Sequence, residues 1–172
     1  MGESIPKQQQ QQQQSPQEIK QHLDEVLQLS LPSREVLEEL AVACAKDPSP
    51  DNTFQYAFAL SKSSEKAELR YAVTILDGLV TEGYGYQADC LYAAATALYL
   101  LGDYEEARTR CENILRSQPD LAIGLELHAA SVASMEQRDA EKLKQAAIGG
   151  GAALAALGVV AGVASVVMAN SH

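Results

Sequence analysis

"LYLLGDYEEARTRCENILRSQPD", Leu98 to Asp120, is the stretch that decides the fold. Glycine enters the left-handed backbone region without a Cβ penalty, so Gly102 is suited to end the helix that reaches it through Leu98 and Leu101. Asp103 then stands where a second helix needs an N-cap, and Glu106, three residues on, would complete a capping box. Ala107 is small where two helices must approach closely. Pro119 closes the second helix, because it can neither donate a backbone hydrogen bond nor continue the turn. The spacing predicts a tight antiparallel helical hairpin.

That hairpin matches the tetratricopeptide pattern, Trp-x2-Leu-Gly-x2-Tyr, then Ala-x3-Phe, then Pro. Leu91, Ala94, Ala95 and Leu98 occupy the first four positions, Ala107 and Cys111 the next pair, and Pro119 the last. A looser copy lies upstream, with Tyr56, Ala59 and Leu60 on its first helix and Ala72, Leu76 and Leu79 on its second. Ala72 precedes Ala107 by 35 residues, one more than the usual repeat, and the "EGYGYQ" loop can hold the addition. Two stacked hairpins leave an apolar face open at each end, which the helices before Asn52 and after Asp120 would cover. The expected fold is all-α, a tetratricopeptide-like bundle of two tandem helix pairs with flanking helices, followed by one C-terminal transmembrane helix.

Outward from the repeats, residues 1–16 read as a disordered Gln-rich arm, since the run Gln8 to Gln14 has no apolar area with which to offset ordering. A first helix should start at "SPQE", with Ser15 as cap, Pro16 in the first turn and Glu18 reaching back, and with Ile19, Leu23 and Val26 as its apolar stripe. A second spans about 33–45, with Val36, Leu37, Leu40 and Cys44 on one face. Further helices follow at about 53–62, 65–81, 86–101, 104–117 and 120–144, so 17–144 is expected to form one cytosolic helical domain.

The chain carries 13 Lys and Arg against 23 Asp and Glu, a net charge of −10, and all of it lies before Gln145. A nucleic-acid surface needs a basic stripe, so that partner class is disfavoured. Cys44, Cys90 and Cys111 lack C-x-x-C spacing and fall in helices, as buried thiols in a reducing compartment do. His22, His128 and His172 are isolated, with no metal-binding spacing and no Gly-rich phosphate loop after a strand. No enzymatic activity, metal or cofactor is expected.

From Ala146 to Ala169 nothing is more polar than Ser165, and 24 helical residues at ~1.5 Å each would cross a bilayer core. Residues 146–169 are therefore the expected C-terminal membrane anchor, with Ile148, Leu154, Leu157 and Val166 among its larger side chains. Gly158 and Gly162 form G-x-x-x-G, a pattern that can bring two such helices together and so would serve a homo-oligomer.

In a tetratricopeptide stack the first helices of successive pairs line a concave groove. Counted from the aligned hairpins, this face carries Phe54, Ala57 and Ser61 from one helix and Asp89, Tyr92, Thr96 and Tyr99 from the next. Tyr92 and Tyr99 are either partner contacts, offering area with few torsions to freeze, or packing residues under the N-terminal helices. Ala57 and Ser61 stand where chaperone-binding repeats would place two members of their Lys and Asn clamp.

A short tetratricopeptide-like bundle, a further helix and a Gly/Ala-rich C-terminal segment, in that order, resemble the mitochondrial fission 1 protein family. The resemblance runs from about Asn52 to Ala169. It implies a tail anchor in the outer mitochondrial membrane, and often in peroxisomes, with the helical domain in the cytosol. It also implies recruitment of a dynamin-related GTPase, directly or through adaptors, and an N-terminal arm folded over the groove. Members usually end in a short basic segment where this chain reads "ANSH", which leaves mitochondrion, peroxisome and endoplasmic reticulum open. The alternative role is a tail-anchored import or chaperone receptor, which would use the same kind of groove.

Overall fold

Three serines start three helices. Ser15, Ser33 and Ser49 hold extended backbones, with ψ of 154°, 156° and 154°, and their hydroxyls accept from the amides of Glu18, Val36 and Asn52. These are α1 (Pro16–Leu29), α2 (Arg34–Lys46) and α3 (Pro50–Leu60) of a computed structural model that describes residues 14–149. At Ser15 the capping box is complete, because the Glu18 carboxylate accepts from the Ser15 amide at 2.7 Å. The helices α4 (Lys66–Thr81), α5 (Gln87–Leu101), α6 (Tyr104–Ser117) and α7 (Ala122–Gly149) follow, and the described residues contain no strand.

The α5–α6 turn is built largely as its residues dictate. Gly102 has φ of +86°, and the Asp103 amide donates to the Leu98 carbonyl at 2.9 Å, the 6→1 bond of a Schellman closure. Asp103 itself departs from expectation. It occupies the N-cap position of α6, yet its side chain caps nothing. Its ψ is 62°, against about 155° at the three serines, so its carboxylate is not aimed at the α6 amides and the box with Glu106 does not form.

The chain divides into two units, Met1–Ser134 and Met135–His172. Within the first, the core has two clusters. One joins Leu37 of α2, Ala57 and Leu60 of α3, Ala72, Leu76 and Leu79 of α4, and Cys90, Ala93 and Ala94 of α5. The other joins Leu23 and Leu27 of α1, Ala95, Leu98 and Tyr99 of α5, Ala107 and Cys111 of α6, and Leu127 and Ala130 of α7. Ala72 and Ala107, the small residues of the two repeats, are both fully buried. Arginine ion pairs tie two helices to α4: the Arg110 guanidinium grips both carboxylate oxygens of Asp77, joining α6 to α4, and Arg34 meets Glu68 at 2.6 Å, joining α2 to α4. Ser63 and Arg34, in that order, hold the Glu68 carboxyl below its ordinary range.

Some expected faces shift. The buried stripe of α1 is Leu23 and Leu27, while Val26 is 42% exposed, because burial follows the i, i+4 pair that meets α5 and α7. On α2 only Leu37 is buried and Val36 faces solvent. Cys90 and Cys111 are buried thiols, whereas Cys44 is partly exposed, 3.7 Å from the Thr53 hydroxyl. In the second unit, the described part of α7 carries surface pairs such as Gln137 with Glu141 and Lys142 with Asp139. Among the described residues no helix is long and apolar enough to cross a membrane. Ile148 lies at the end of α7, 87% exposed, and Leu154, Leu157, Gly158, Gly162 and Val166 lie outside the described residues.

Candidate functional site

Helix α5, "QADCLYAAATALYLL", is the axis of the first unit. From Ala93 to Tyr99 every residue is buried, which the Ala-rich sequence permits because small side chains let neighbouring helices approach on several sides. Tyr92, Ala95 and Tyr99, spaced i, i+3, i+7, share one face. That face is covered by α1, with Leu23 and Leu27 set into the cluster that includes Ala95, Tyr99, Leu127 and Ala130 and flanked by Tyr92.

Polar contacts fix the cover in place. The Tyr99 hydroxyl donates to Asp24 of α1 at 2.7 Å and accepts from Ser134 of α7 at 3.3 Å. Burial, reinforced by the Asp24 carboxylate, pushes this phenol above its ordinary range, so it stays protonated and donating. His22 of α1 stands 3.9 Å from Glu126 of α7, and Lys20 meets Asp24 at 2.6 Å. The Tyr99 ring lies 5.4 Å from that of Tyr104, in a tilted pair.

The seven residues of the expected groove fall into three settings. Tyr92 and Tyr99 lie beneath α1. Ala57, Ser61 and Thr96 are fully buried, and the two hydroxyls bond to carbonyls of their own helices, those of Phe58 and Tyr92. Phe54 and Asp89 reach a cavity of about 400 Å³ at the N-terminal ends of α3 and α5, which Asp51, Gln55, Tyr84 and Tyr86 also line. There an aromatic row runs Phe58, Phe54, Tyr84, Tyr86, with successive centroids 5.6, 5.6 and 5.5 Å apart. The Tyr84 hydroxyl donates to Asp51 at 2.7 Å, and this bond, ahead of burial, pushes the phenol up to about 12.

Tyr84 and Tyr86 were not among the residues singled out from the sequence. Two tyrosines alternating with glycine in "EGYGYQ" were the available signal, since rings in a connecting loop have no helix stripe to serve. Among the described residues no three His, Cys, Asp or Glu side chains are placed to hold a metal ion.

No family model matches the chain. Among curated proteins it is similar to the mitochondrial fission 1 protein of Debaryomyces hansenii, 32% identical over 98 residues. That match covers 56% of this chain and 64% of the relative, somewhat under two thirds of the relative's length. With the mitochondrial fission 1 protein of Eremothecium gossypii it is 33% identical over 115 residues, covering 66% of this chain and 71% of the relative. Among solved structures, the crystal structure of fission protein Fis1 from Saccharomyces cerevisiae aligns with a TM-score of 0.61 at 20% identity, covering 68% of this chain and 95% of that one. Yeast Fis1 in complex with an Mdv1 fragment, containing its N-terminal extension and coiled-coil domains, aligns with a TM-score of 0.61 at 21% identity, covering 66% and 94%. The fold is thus that of a solved fission protein, and with a third of the aligned residues identical across most of the length of such a relative, the chain belongs to the mitochondrial fission 1 protein family.

Proposed function

We propose that the chain is a tail-anchored adaptor that recruits fission machinery, a dynamin-related GTPase directly or through adaptors, for division of mitochondria and of peroxisomes. Residues 17–144 form the cytosolic domain in this reading, 1–16 a leading arm, and 146–169 the span in the outer membrane. The observation that carries it is the face of α5 under α1. It takes an amphipathic helix through Leu23 and Leu27, and a partner helix offering two such residues at i, i+4 fits the same surface. The similar yeast protein was solved with a fragment of Mdv1, which supports a protein partner rather than a small molecule. Tyr92 and Tyr99 are the proposed contacts once α1 yields, with Phe54 and Asp89 at the open end. Ala57, Ser61 and Thr96 serve the groove by setting helix spacing. A clamp for a partner's C-terminal carboxylate draws no support, since Ala57 and Ser61 are buried where its cations would project.

The anchor is tested by truncation at Lys144 and alkaline carbonate extraction. The full chain should stay with membranes and the truncated one should be released. Retention of both sinks the tail anchor. The partner role is tested by pull-down of a dynamin-related GTPase or its adaptor with the full chain, and with a variant in which Leu23 and Leu27 are both Ser. Loosening α1 should increase capture, and equal absence of capture by both forms rejects the adaptor role.

A further inference from the structure

The cavity at the N-terminal ends of α3 and α5 has walls of one kind and charges of one sign. Phe54, Tyr84 and Tyr86 supply ring faces, and Asp51 and Asp89 supply carboxylates. Among the described residues, neither carboxylate is paired with a Lys or Arg; Asp51 has the Tyr84 hydroxyl, a neutral donor that leaves its charge in place. Each sits in the first turn of its helix, where the helix dipole favours a carboxylate. Ring faces carry negative potential, so rings and carboxylates attract the same ligand. The far end of the same aromatic row already shows this preference, with the Lys62 ammonium 4.5 Å from the centroid of Phe58.

We infer that this cavity is a receptor for a single cationic side chain, a guanidinium or an ammonium, carried on an extended segment of the partner. An alkyl stem would lie along Phe54 and Tyr84 while the charged head meets Asp51 and Asp89, with Tyr86, 61% exposed, closing the outer side. The site rests on the adaptor reading only in taking the cation from a protein partner. It lies at the uncovered end of the face that α1 occupies elsewhere, so it is available while Tyr99 remains beneath α1. An incoming segment can thus engage here before it competes with α1. The net charge of −10 adds long-range attraction for a basic segment.

The test is an NMR titration of the full chain in detergent with acetyl-Gly-Arg-Gly-amide. The controls are the citrulline peptide, which keeps the shape and loses the charge, and the leucine peptide. The arginine peptide should move amides of residues 51–55 and 84–89, and less so as salt rises. Asp89→Asn should weaken it roughly fivefold, the worth of one unit charge at contact distance in water-like surroundings. Tyr86→Leu should weaken it ~2- to 5-fold, as for an exposed cation–π contact. Equal shifts from citrulline or leucine peptides would reveal a plain apolar slot and overturn the proposal. So would an absence of shifts, or shifts indifferent to both variants. Because the readout is binding of a peptide and not GTPase capture, the pocket and the adaptor role can fail separately.

Discussion

Tyr99→Phe removes one oxygen from the best-connected side chain beneath α1 and leaves everything else in place. The ring, 5% exposed, keeps its packing and its tilted contact with Tyr104, so no cavity opens. What is lost is the 2.7 Å bond to Asp24 and the 3.3 Å bond from Ser134. A hydrogen bond to a charged group contributes about 1.5–3 kcal/mol. Here the lower end applies, because the Asp24 side chain is 42% exposed and Lys20 stays beside it. The Ser134 bond is long, and its hydroxyl can turn to a carbonyl one turn back, as Ser131 does to Leu127, so its loss adds little. The sum is ~1–2 kcal/mol, a fall in Tm of roughly 4–8 °C for a unit of this size. The location of the effect matters more than its size. Amide exchange should quicken in α1 and hardly change in α4 and α5, and Asp24→Asn combined with Tyr99→Phe should cost less than the sum of the two. Tyr99→Ala, by contrast, should cost ~3–5 kcal/mol, because it empties a core site. Unchanged α1 exchange in Tyr99→Phe, at an unchanged Tm, would refute the idea that this hydroxyl fastens α1.

Other consequences follow from single features. Gly102→Ala places a side chain at φ of +86° with open space around it, so the cost is backbone strain alone, ~1–2 kcal/mol by thermal unfolding. Arg110→Ala breaks the two-pronged grip on Asp77 that joins α6 to α4; stability should fall by ~1–2 kcal/mol, and Asp77→Asn in the same chain should add little. Burial pushes the Cys90 thiol up to about 11 and the Cys111 thiol up to about 12, from an ordinary 9.0. Above pH 9 the unfolded chain therefore sheds thiol protons that the fold retains, so stability is full below pH 9 and falls as pH rises, by at most ~1.4 kcal/mol per pH unit for each thiol. Replacing Cys111 with Ala should flatten that slope in a pH series of urea titrations.

The repeat was legible from sequence because its signals are local. Gly102, Ala107 and Pro119 each act on backbone geometry within a few residues, and the structure uses Gly102 as a left-handed cap. Asp103 does not cap α6 as its residue type suggests, because a capping box depends on ψ as well, and the Schellman closure sets that ψ. Helix α3 starts at Pro50, three residues before the expected start near 53, and Ser49 and Pro50 repeat the signal of Ser15 and Pro16. The setting of the groove residues could not be read in the same way. Whether Ser61 and Thr96 face a partner or their own helices depends on how far α3, α4 and α5 close on one another, a matter of tertiary distance. Tyr99 illustrates the limit, since its partner Asp24 is 75 residues away. The aromatic cavity joins α3 to the α4–α5 loop, and no window along the chain contains both.

The most direct test of the adaptor role is the amount of dynamin-related GTPase on isolated mitochondria that carry the full chain, compared with mitochondria carrying the Tyr99→Phe variant, which keeps the ring and loses the bond to Asp24 of α1, at matched abundance. A rise in recruited GTPase with the variant still membrane-bound is the predicted result. Equal recruitment, or none by either form, would contradict a fission adaptor working through this face.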